Sequence, residues 1–403
     1  MSHMAENKRG QRQVWLAVAL SIFTVAWGGN EFTPLLVFYR QEGVFSNLFI
    51  DLLLVFYAIG VGVGLLAAGP LSDRLGRRTI MLPAPIIAAI GSALIAGGEN
   101  TALLIAAGRV LSGIAVGMVM TAGGAWIKEL ASPRFEPGIK KGIGAKRASM
   151  SLTAGFALGP AVAGSMAQWL PLPGQMAYIL HIILSLVLLP LLLTAPETRQ
   201  TAHHGLKGSF WADVLVPSAL NRRFLLVVAP IAPWVFGAGF TSYAVIPTLM
   251  HEMVSAPIAY SALLALVTLG SGFTIQQFGP QIMGNSKTRG PILAMIVAVV
   301  GMSGAFLISL HPHPWWALLV GVFLGLTYGL CMFMGLAETQ NIATPSDMAG
   351  LSGIFYCLAY SGMVFPAILT KLNAWFSYPE MLGFGVFMAI LCLGLVSITA
   401  RKL

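Results

Sequence analysis

Twelve apolar stretches of about 20 residues recur along this chain, and no other feature restricts its fold so tightly. Their limits fall near 14–38, 48–69, 79–96, 102–127, 148–169, 176–194, 225–249, 258–280, 291–310, 315–336, 350–370 and 379–399. As a helix, a run of that length matches the hydrocarbon thickness of a bilayer. In lipid a spanning segment must pair every backbone N–H and C=O internally, so it is a helix or part of a closed barrel. Only 9% of the residues are charged, where a soluble domain carries roughly 25%. The expectation is an all-α integral membrane protein with twelve transmembrane helices and the lipid bilayer as its solvent.

The net charge is +9. In a soluble protein that would point to nucleic acid. Here the basic residues gather at the ends of apolar runs, so they are read as topology signals, and no nucleic-acid partner is expected. With the N-terminus in the cytoplasm, twenty Lys and Arg fall on that side: Lys8, Arg9, Arg12, Arg74, Arg77, Arg78, Lys128, Arg134, Lys140, Lys141, Lys146, Arg147, Arg199, Lys207, Arg222, Arg223, Lys287, Arg289, Arg401 and Lys402. Arg40 and Lys371 fall on the other side, and Arg109 is left inside a span. N- and C-termini are therefore both expected in the cytoplasm.

The longest connector, which includes His203, His204 and Lys207, follows the sixth span. The expected division is a cytoplasmic N-terminus at 1–13, a six-helix bundle at 14–194, a linker at 195–224, a second six-helix bundle at 225–399 and a tail at 400–403. Two such halves suit parallel repeats around a midplane site. Ser2-His3-Met4 reads as an expression-vector remnant. The first apolar run is too long for a signal-peptide core, so no cleavable signal is expected. The outer loops are short, and no external domain is expected. Cys331, Cys357 and Cys392 lie in apolar runs, have no metal or redox spacing, and read as packing residues. Neither a metal nor a cofactor is expected.

Between the second and third runs stands Gly69-Pro70-Leu71-Ser72-Asp73-Arg74-Leu75-Gly76-Arg77-Arg78. Gly69 and Gly76 permit a sharp turn and close helix approach. Asp73 is an anion near a helix end, available to Arg77 or to another helix N-terminus. This stretch resembles the loop between spans two and three of the major facilitator superfamily, Gly-x-Leu-Ser/Ala-Asp-Arg-x-Gly-Arg-Arg. The resemblance implies the major facilitator fold. It also implies that Asp73 braces the loop against span eleven, which begins after Ser346-Asp347, in the outward-open state and releases it on opening inward. Gly69, Asp73, Arg74, Gly76, Arg77, Arg78 and Glu129 are the expected gating residues; the bland alternative is topogenic charge alone. The counterpart loop in the second half, Gly279 to Arg289, has no acid.

Span four carries Arg109, Gly113 and Gly117, similar to the superfamily's Arg-x-x-x-Gly-x-x-x-Gly pattern of proton-coupled members. A charge inside a span is costly and points to function; a structural helix pair or snorkelling is the alternative. Span five carries Gly155, Gly159, Pro160 and Gly164, which resemble the Gly-x-x-x-Gly-Pro signature of drug/proton exporters. Gly155, Gly159 and Pro160 are expected to permit helix approach and bending. The signature is incomplete, with Lys146 and Ala163 where glycines are expected. Pro196-Glu197-Thr198 resembles a further superfamily loop signature.

Glu31 is the one acid placed well inside a span. It stands 17 residues past Val14, about 25 Å along a helix at ~1.5 Å per residue. Similar counting puts Arg109 at nearly the same level. Glu31 and Arg109 are the expected proton-coupling pair, acting directly or through Asn30 and water, with protonation of Glu31 weakening the pair. The alternative is a solvated Glu31 at the interface with Arg40. Asp51 is a possible outer-gate partner of Arg40. His181 reads first as a hydrogen-bonded packing residue, with a proton-relay role as the alternative, and Glu338 as a solvated helix end. Asn30, Trp234, Phe240, Tyr243, Gln276, Tyr356 and Tyr360 are the expected substrate-cavity residues. Aromatic walls with few fixed charges suit lipophilic or amphipathic compounds, and nineteen methionines fit a plastic surface.

The expectation is thus a proton-coupled secondary transporter, a monomer in the inner or plasma membrane that exports a small-molecule substrate against protons by alternating access. An uptake symporter or facilitator for a sugar or organic acid is the alternative, and a receptor without flux a more distant one. No phosphate-binding loop or nucleophile–base constellation appears, so an enzyme is not expected.

Overall fold

The computed structural model describes residues 14–140, 143–198, 216–286, 288–344 and 348–402, and no strand occurs among them. Twelve of their helices are long and apolar enough to cross a bilayer. They are α1 (Val14–Glu42), α2 (Asn47–Leu75), α3 (Arg77–Ala96), α4 (Ala102–Leu130), α5 (Ile143–Trp169), α6 (Met176–Leu193), α7 (Phe224–Met250), α8 (Pro257–Gln277), α9 (Arg289–Leu310), α10 (Pro314–Ile342), α11 (Gly350–Leu372) and α12 (Tyr378–Ala400). Each coincides with one of the apolar stretches. Several overrun them: α1, α2, α4 and α10 reach 29 residues, about 43 Å at ~1.5 Å per residue against a core of about 30 Å. The apolar count stops where charge begins, whereas the helix keeps its hydrogen bonds through the charged turns. Lys8, Arg9, Arg12, Lys141, Arg199, His203, His204, Lys207, Lys287, Ser346 and Asp347 lie outside the described residues.

Burial separates interior helices from peripheral ones. The apolar windows of α1 and α7 are 72% and 67% buried, those of α6 and α12 only 28%. Leu103, Val187, Phe384 and Ile398 point outward and exposed, as a lipid solvent requires.

Prolines interrupt several helices, and the consequences are local. Pro34 has no N–H for the Asn30 carbonyl and its ring crowds it; α1 breaks at Glu31. Pro160 likewise vacates the carbonyl of Phe156, and Asn30 Nδ2 from α1 donates to that oxygen at 2.8 Å. Pro247 vacates the carbonyl of Tyr243, and Ser261 Oγ from α8 donates there at 2.9 Å. Wider π turns at Val119–Gly123, Phe224–Val228 and Thr241–Val245 disturb α4 and α7 further.

The chain forms two compact units. The first comprises residues up to Glu31, Ile59–Gly159 and Gln175–Val214; the second comprises Phe32–Ala58, Pro160–Gly174 and Leu215–Leu403. Backbones touch in the first unit where glycines face each other. A Cβ at Gly64 of α2 would stand 2.9 Å from Gly117 Cα, and one at Gly117 would stand 2.6 Å from Leu65 N. The second glycine of the span-four pattern is therefore a packing contact with α2. A Cβ at Gly155 of α5 would strike the Phe23 carbonyl, with Ala26 Cβ at 2.7 Å and Trp27 N at 2.9 Å. In the second unit α8 and α10 approach in the same way at Gly272 and Gly329.

Gly155→Ala is expected to lower the thermal stability of the detergent-purified protein by about 1–3 kcal/mol, because backbone must move. Gly124→Ala, whose Cβ would meet nothing within 4 Å, is expected to be neutral or to stabilise by up to about 1 kcal/mol through its helix propensity. Thermal unfolding of the two variants side by side measures both signs.

Candidate functional site

A polar cluster lies in the first unit, carried by α1, α3, α4 and α6. Glu31 is 0% exposed, as are Ser92 and His181, and Arg109 is 2% exposed. The break in α1 projects Glu31 among the other three helices. Ser92 Oγ lies 3.3 Å from Glu31 Oε1 and 2.7 Å from His181 Nδ1. His181 Nδ1 lies 3.8 Å from Glu31 Oε1, and its Nε2 is 3.1 Å from the Thr24 carbonyl. Arg109 acts on the carboxylate by charge while its Nη1 donates to the Gly29 carbonyl at 3.3 Å.

The solvated reading of Glu31 therefore falls. Arg40 pairs instead with Asp51, and burial likewise excludes snorkelling of Arg109. Asn30 sits on the same break, but its amide nitrogen serves the Phe156 carbonyl. His181 is the hydrogen-bonded residue its sequence context suggested, yet it stands against Glu31. Ser92 was not singled out at all. Its position four residues from the end of α3, and that of His181 five residues into α6, put both near one bilayer end. Applying to them the depth counting used for Glu31 and Arg109 would have found them.

The charged hairpin is organised around Arg77, which is 7% exposed. Its Nη1 pairs with Asp73 at 2.7 Å and donates to Ser72 Oγ at 2.6 Å. Its Nε and Nη2 donate to Glu129 Oε1 at 3.1 and 2.8 Å. Thr198 Oγ1 donates to Glu129 as well. The Glu197 carboxylate accepts the backbone N–H of Arg77 at 3.1 Å and of Arg78 at 2.8 Å. It supplies an anion to the two free donors at the N-terminus of α3. Gly76 makes the turn at φ +101°, and a Cβ there would meet Glu197 Oε2 at 2.7 Å. Gly69, by contrast, is helical and a Cβ there would meet nothing within 4 Å. The turn thus falls to Gly76, and Gly69 makes no close approach. The sequence pattern did not show that Pro196-Glu197-Thr198 folds back here, where the Trp126 indole also donates to the Pro196 carbonyl at 2.9 Å.

The second unit holds a set of packed aromatic rings. Phe236 stacks on Tyr360 with centroids 4.2 Å apart and meets Tyr328 edge-on at 5.7 Å. Phe240 and Tyr243 are T-shaped at 4.9 Å. Tyr57 meets Tyr360 with centroids 6.2 Å apart, and Tyr356 lies 5.6 Å from Phe355. Tyr356, Trp234 and Gln276 are half-buried. In the same unit buried Asp51 accepts from both Arg40 and Thr370. Glu338 is not a solvated end: it is 2% exposed and pairs with Arg223 at 2.7 Å.

The sequence profile of the Major Facilitator Superfamily matches residues 14–367. A chloramphenicol resistance protein of Pseudomonas aeruginosa is 24% identical over 377 residues, 88% of this chain and 82% of that protein. The multidrug transporter MdfA of Yersinia pestis is 27% identical over 359 residues, 83% of this chain and 80% of that protein. A crystal structure of the nucleoside transporter NupG aligns with a TM-score of 0.74, covering 95% of this chain and 98% of that one at 13% identity. This last likeness speaks for the fold alone.

Arg77→Ala is expected to cost on the order of 2–3 kcal/mol, less than a fully buried pair because Asp73 and Glu129 are partly in solvent. Arg78→Ala is expected to cost about 1 kcal/mol or less. Thermal unfolding of the two variants gives the order, and equal effects would contradict a hub at Arg77.

Proposed function

The chain belongs to the Major Facilitator Superfamily of membrane transporters, and on that premise we propose that it is a proton-coupled exporter of small lipophilic or amphipathic compounds. It is a multi-pass integral membrane protein, and its family is one of transporters rather than enzymes. The observation that carries the proposal is Glu31, an acid buried at a helix break, with the buried Arg109 donating to the Gly29 carbonyl two residues before it. Such an acid exchanges a proton at a large difference in local electrostatics. The substrate side is the aromatic set around Phe236, Phe240, Tyr243 and Tyr360, with Asn30, Trp234, Gln276 and Tyr356 as further contacts. That surface offers stacking and hydroxyl groups without a fixed charge, which fits uncharged or amphipathic compounds. The names of the Pseudomonas and Yersinia relatives support export of drug-like compounds.

In this reading both termini face the cytoplasm, on the side of the Asp73 hairpin, and residues 14–194 and 225–399 act as the two six-helix halves joined by 195–224. Asp73, Arg74, Arg77, Arg78 and Glu129, with Gly69 and Gly76, form the gate at the cytoplasmic end. Asp51, with Arg40 and Thr370, closes the opposite end. Alternating access then consists of opening one set of contacts while the other holds.

The test is transport of labelled chloramphenicol in proteoliposomes under an imposed pH gradient, with and without an uncoupler. Export predicts movement against the proton gradient, abolished by the uncoupler and reduced at least tenfold in Glu31→Gln. Gradient-dependent flux that survives in Glu31→Gln would overturn the coupling role. Movement with the proton gradient would favour uptake.

A further inference from the structure

Glu31 is not alone among buried titratable groups of the first unit. His181 is equally buried, and one hydroxyl stands between them. The hydrogens of this cluster can be assigned from the acceptors. A backbone carbonyl only accepts, so His181 Nε2, 3.1 Å from the Thr24 oxygen, carries a hydrogen. Ser185 Oγ, 3.3 Å from the same nitrogen, lies beside it. In the neutral imidazole Nδ1 must then accept, and Ser92 Oγ at 2.7 Å is its donor. Ser92 has a single hydrogen. Its contact with Glu31 Oε1 at 3.3 Å is then a hydrogen bond only if the carboxyl is protonated and donates to Ser92.

The opposite arrangement satisfies the same three groups. If Nδ1 carries a hydrogen it donates to Ser92, and Ser92 donates to a Glu31 carboxylate. The two arrangements differ by one proton at each of two bonds and by no heavy-atom position. We propose that His181 is the second holder of the Glu31 proton, exchanged through Ser92. In the step the Glu31 Oε1–H bond breaks and a Ser92 Oγ–H bond forms. The original Ser92 Oγ–H bond breaks and a His181 Nδ1–H bond forms. The products are a carboxylate and an imidazolium, and the net charge of the cluster is unchanged.

Two further observations fit a built site. The ring of His181 is seated on Gly28, where a Cβ would overlap Cε1 and Nε2 and stand 2.8 Å from Cδ2. Only glycine leaves room for it. Glu31 itself is fully buried, and an acid inside a span is a cost that ordinary helix packing gives no reason to bear. The groups facing the pair are few. Among the described residues of α1, α3, α4 and α6, the other buried charged side chains are Arg109 and, at the distant hairpin end of α3, Arg77; Tyr178 stands one turn before His181 on α6.

This proposal rests on the proton-coupled reading, and its test does not require a known substrate. The full-length protein in nanodiscs is titrated by infrared spectroscopy. The carboxylic-acid C=O band of Glu31 is identified by its absence in Glu31→Gln. His181→Gln is expected to move the midpoint of that band by about one pH unit or more. Ser92→Ala is expected to move it by the same amount, and the double variant to add nothing, because both remove one path. Ser92→Thr keeps the hydroxyl and is expected to restore the wild-type midpoint. A midpoint indifferent to His181→Gln, or additive single effects, would overturn the relay while leaving proton coupling at Glu31 standing. A wild-type Glu31 band that does not titrate would overturn both. Should His181→Gln fail to fold, the contrast between Ser92→Ala and Ser92→Thr decides: like behaviour of the two overturns the relay.

Discussion

In hydrocarbon no water is available to a backbone group that has lost its partner, and the interior of this protein is arranged around that constraint. Each proline placed inside a span leaves one carbonyl without its N–H. At Pro160 the missing donor is replaced by Asn30, and at Pro247 by Ser261. In both cases the substitute is a side chain from another helix, so a break in one span becomes a directional tie between two. The break in α1 has the larger consequence. It lies at Glu31, and the four residues from Gly28 to Glu31 that lead into it seat His181, receive Arg109, reach α5 and present a carboxyl group.

Charge is handled differently at the hairpin. Arg77 is buried, but it meets Asp73, Ser72 and Glu129 together, with Glu197 closing the helix end behind it. Its donors are nearly all used. Around Glu31 the single hydroxyl hydrogen of Ser92 stands between two neighbours, Glu31 and His181. A saturated network holds one arrangement, whereas an unsaturated one leaves a second arrangement close in energy. The first suits a clamp and the second a group that must change its protonation.

Much of this was legible in the sequence. Apolar length sets the twelve spans because the bilayer imposes one thickness on all of them, and the Gly-Asp-Arg hairpin stands out because charge is so scarce. Glu31 and Arg109 were legible for the same reason. What was hidden depends on which helix faces which. Nothing local to Ser92 separates it from serines that merely bond their own helix, as Ser112 does to Gly108. His181 looked like packing because its neighbours in sequence are apolar, while its neighbours in space are Glu31 and Ser92. The burial of Glu338 is hidden in the same way, since a helix end counts as solvated until a partner such as Arg223 covers it. Glu197 escaped because a helix N-terminus announces its need for an anion without naming which distant residue meets it.

The position of Glu197 has a mechanical consequence. Its carboxylate completes the first turn of α3, and it stands at the start of the long connector, four residues past the end of α6. Tension on that connector is borne first by the Thr198 hydrogen bond to Glu129 and then by these two, and through them by Gly76 and Arg77. A force applied to the middle of the chain is thus delivered to the hairpin along a path of a few covalent bonds, without crossing the bilayer.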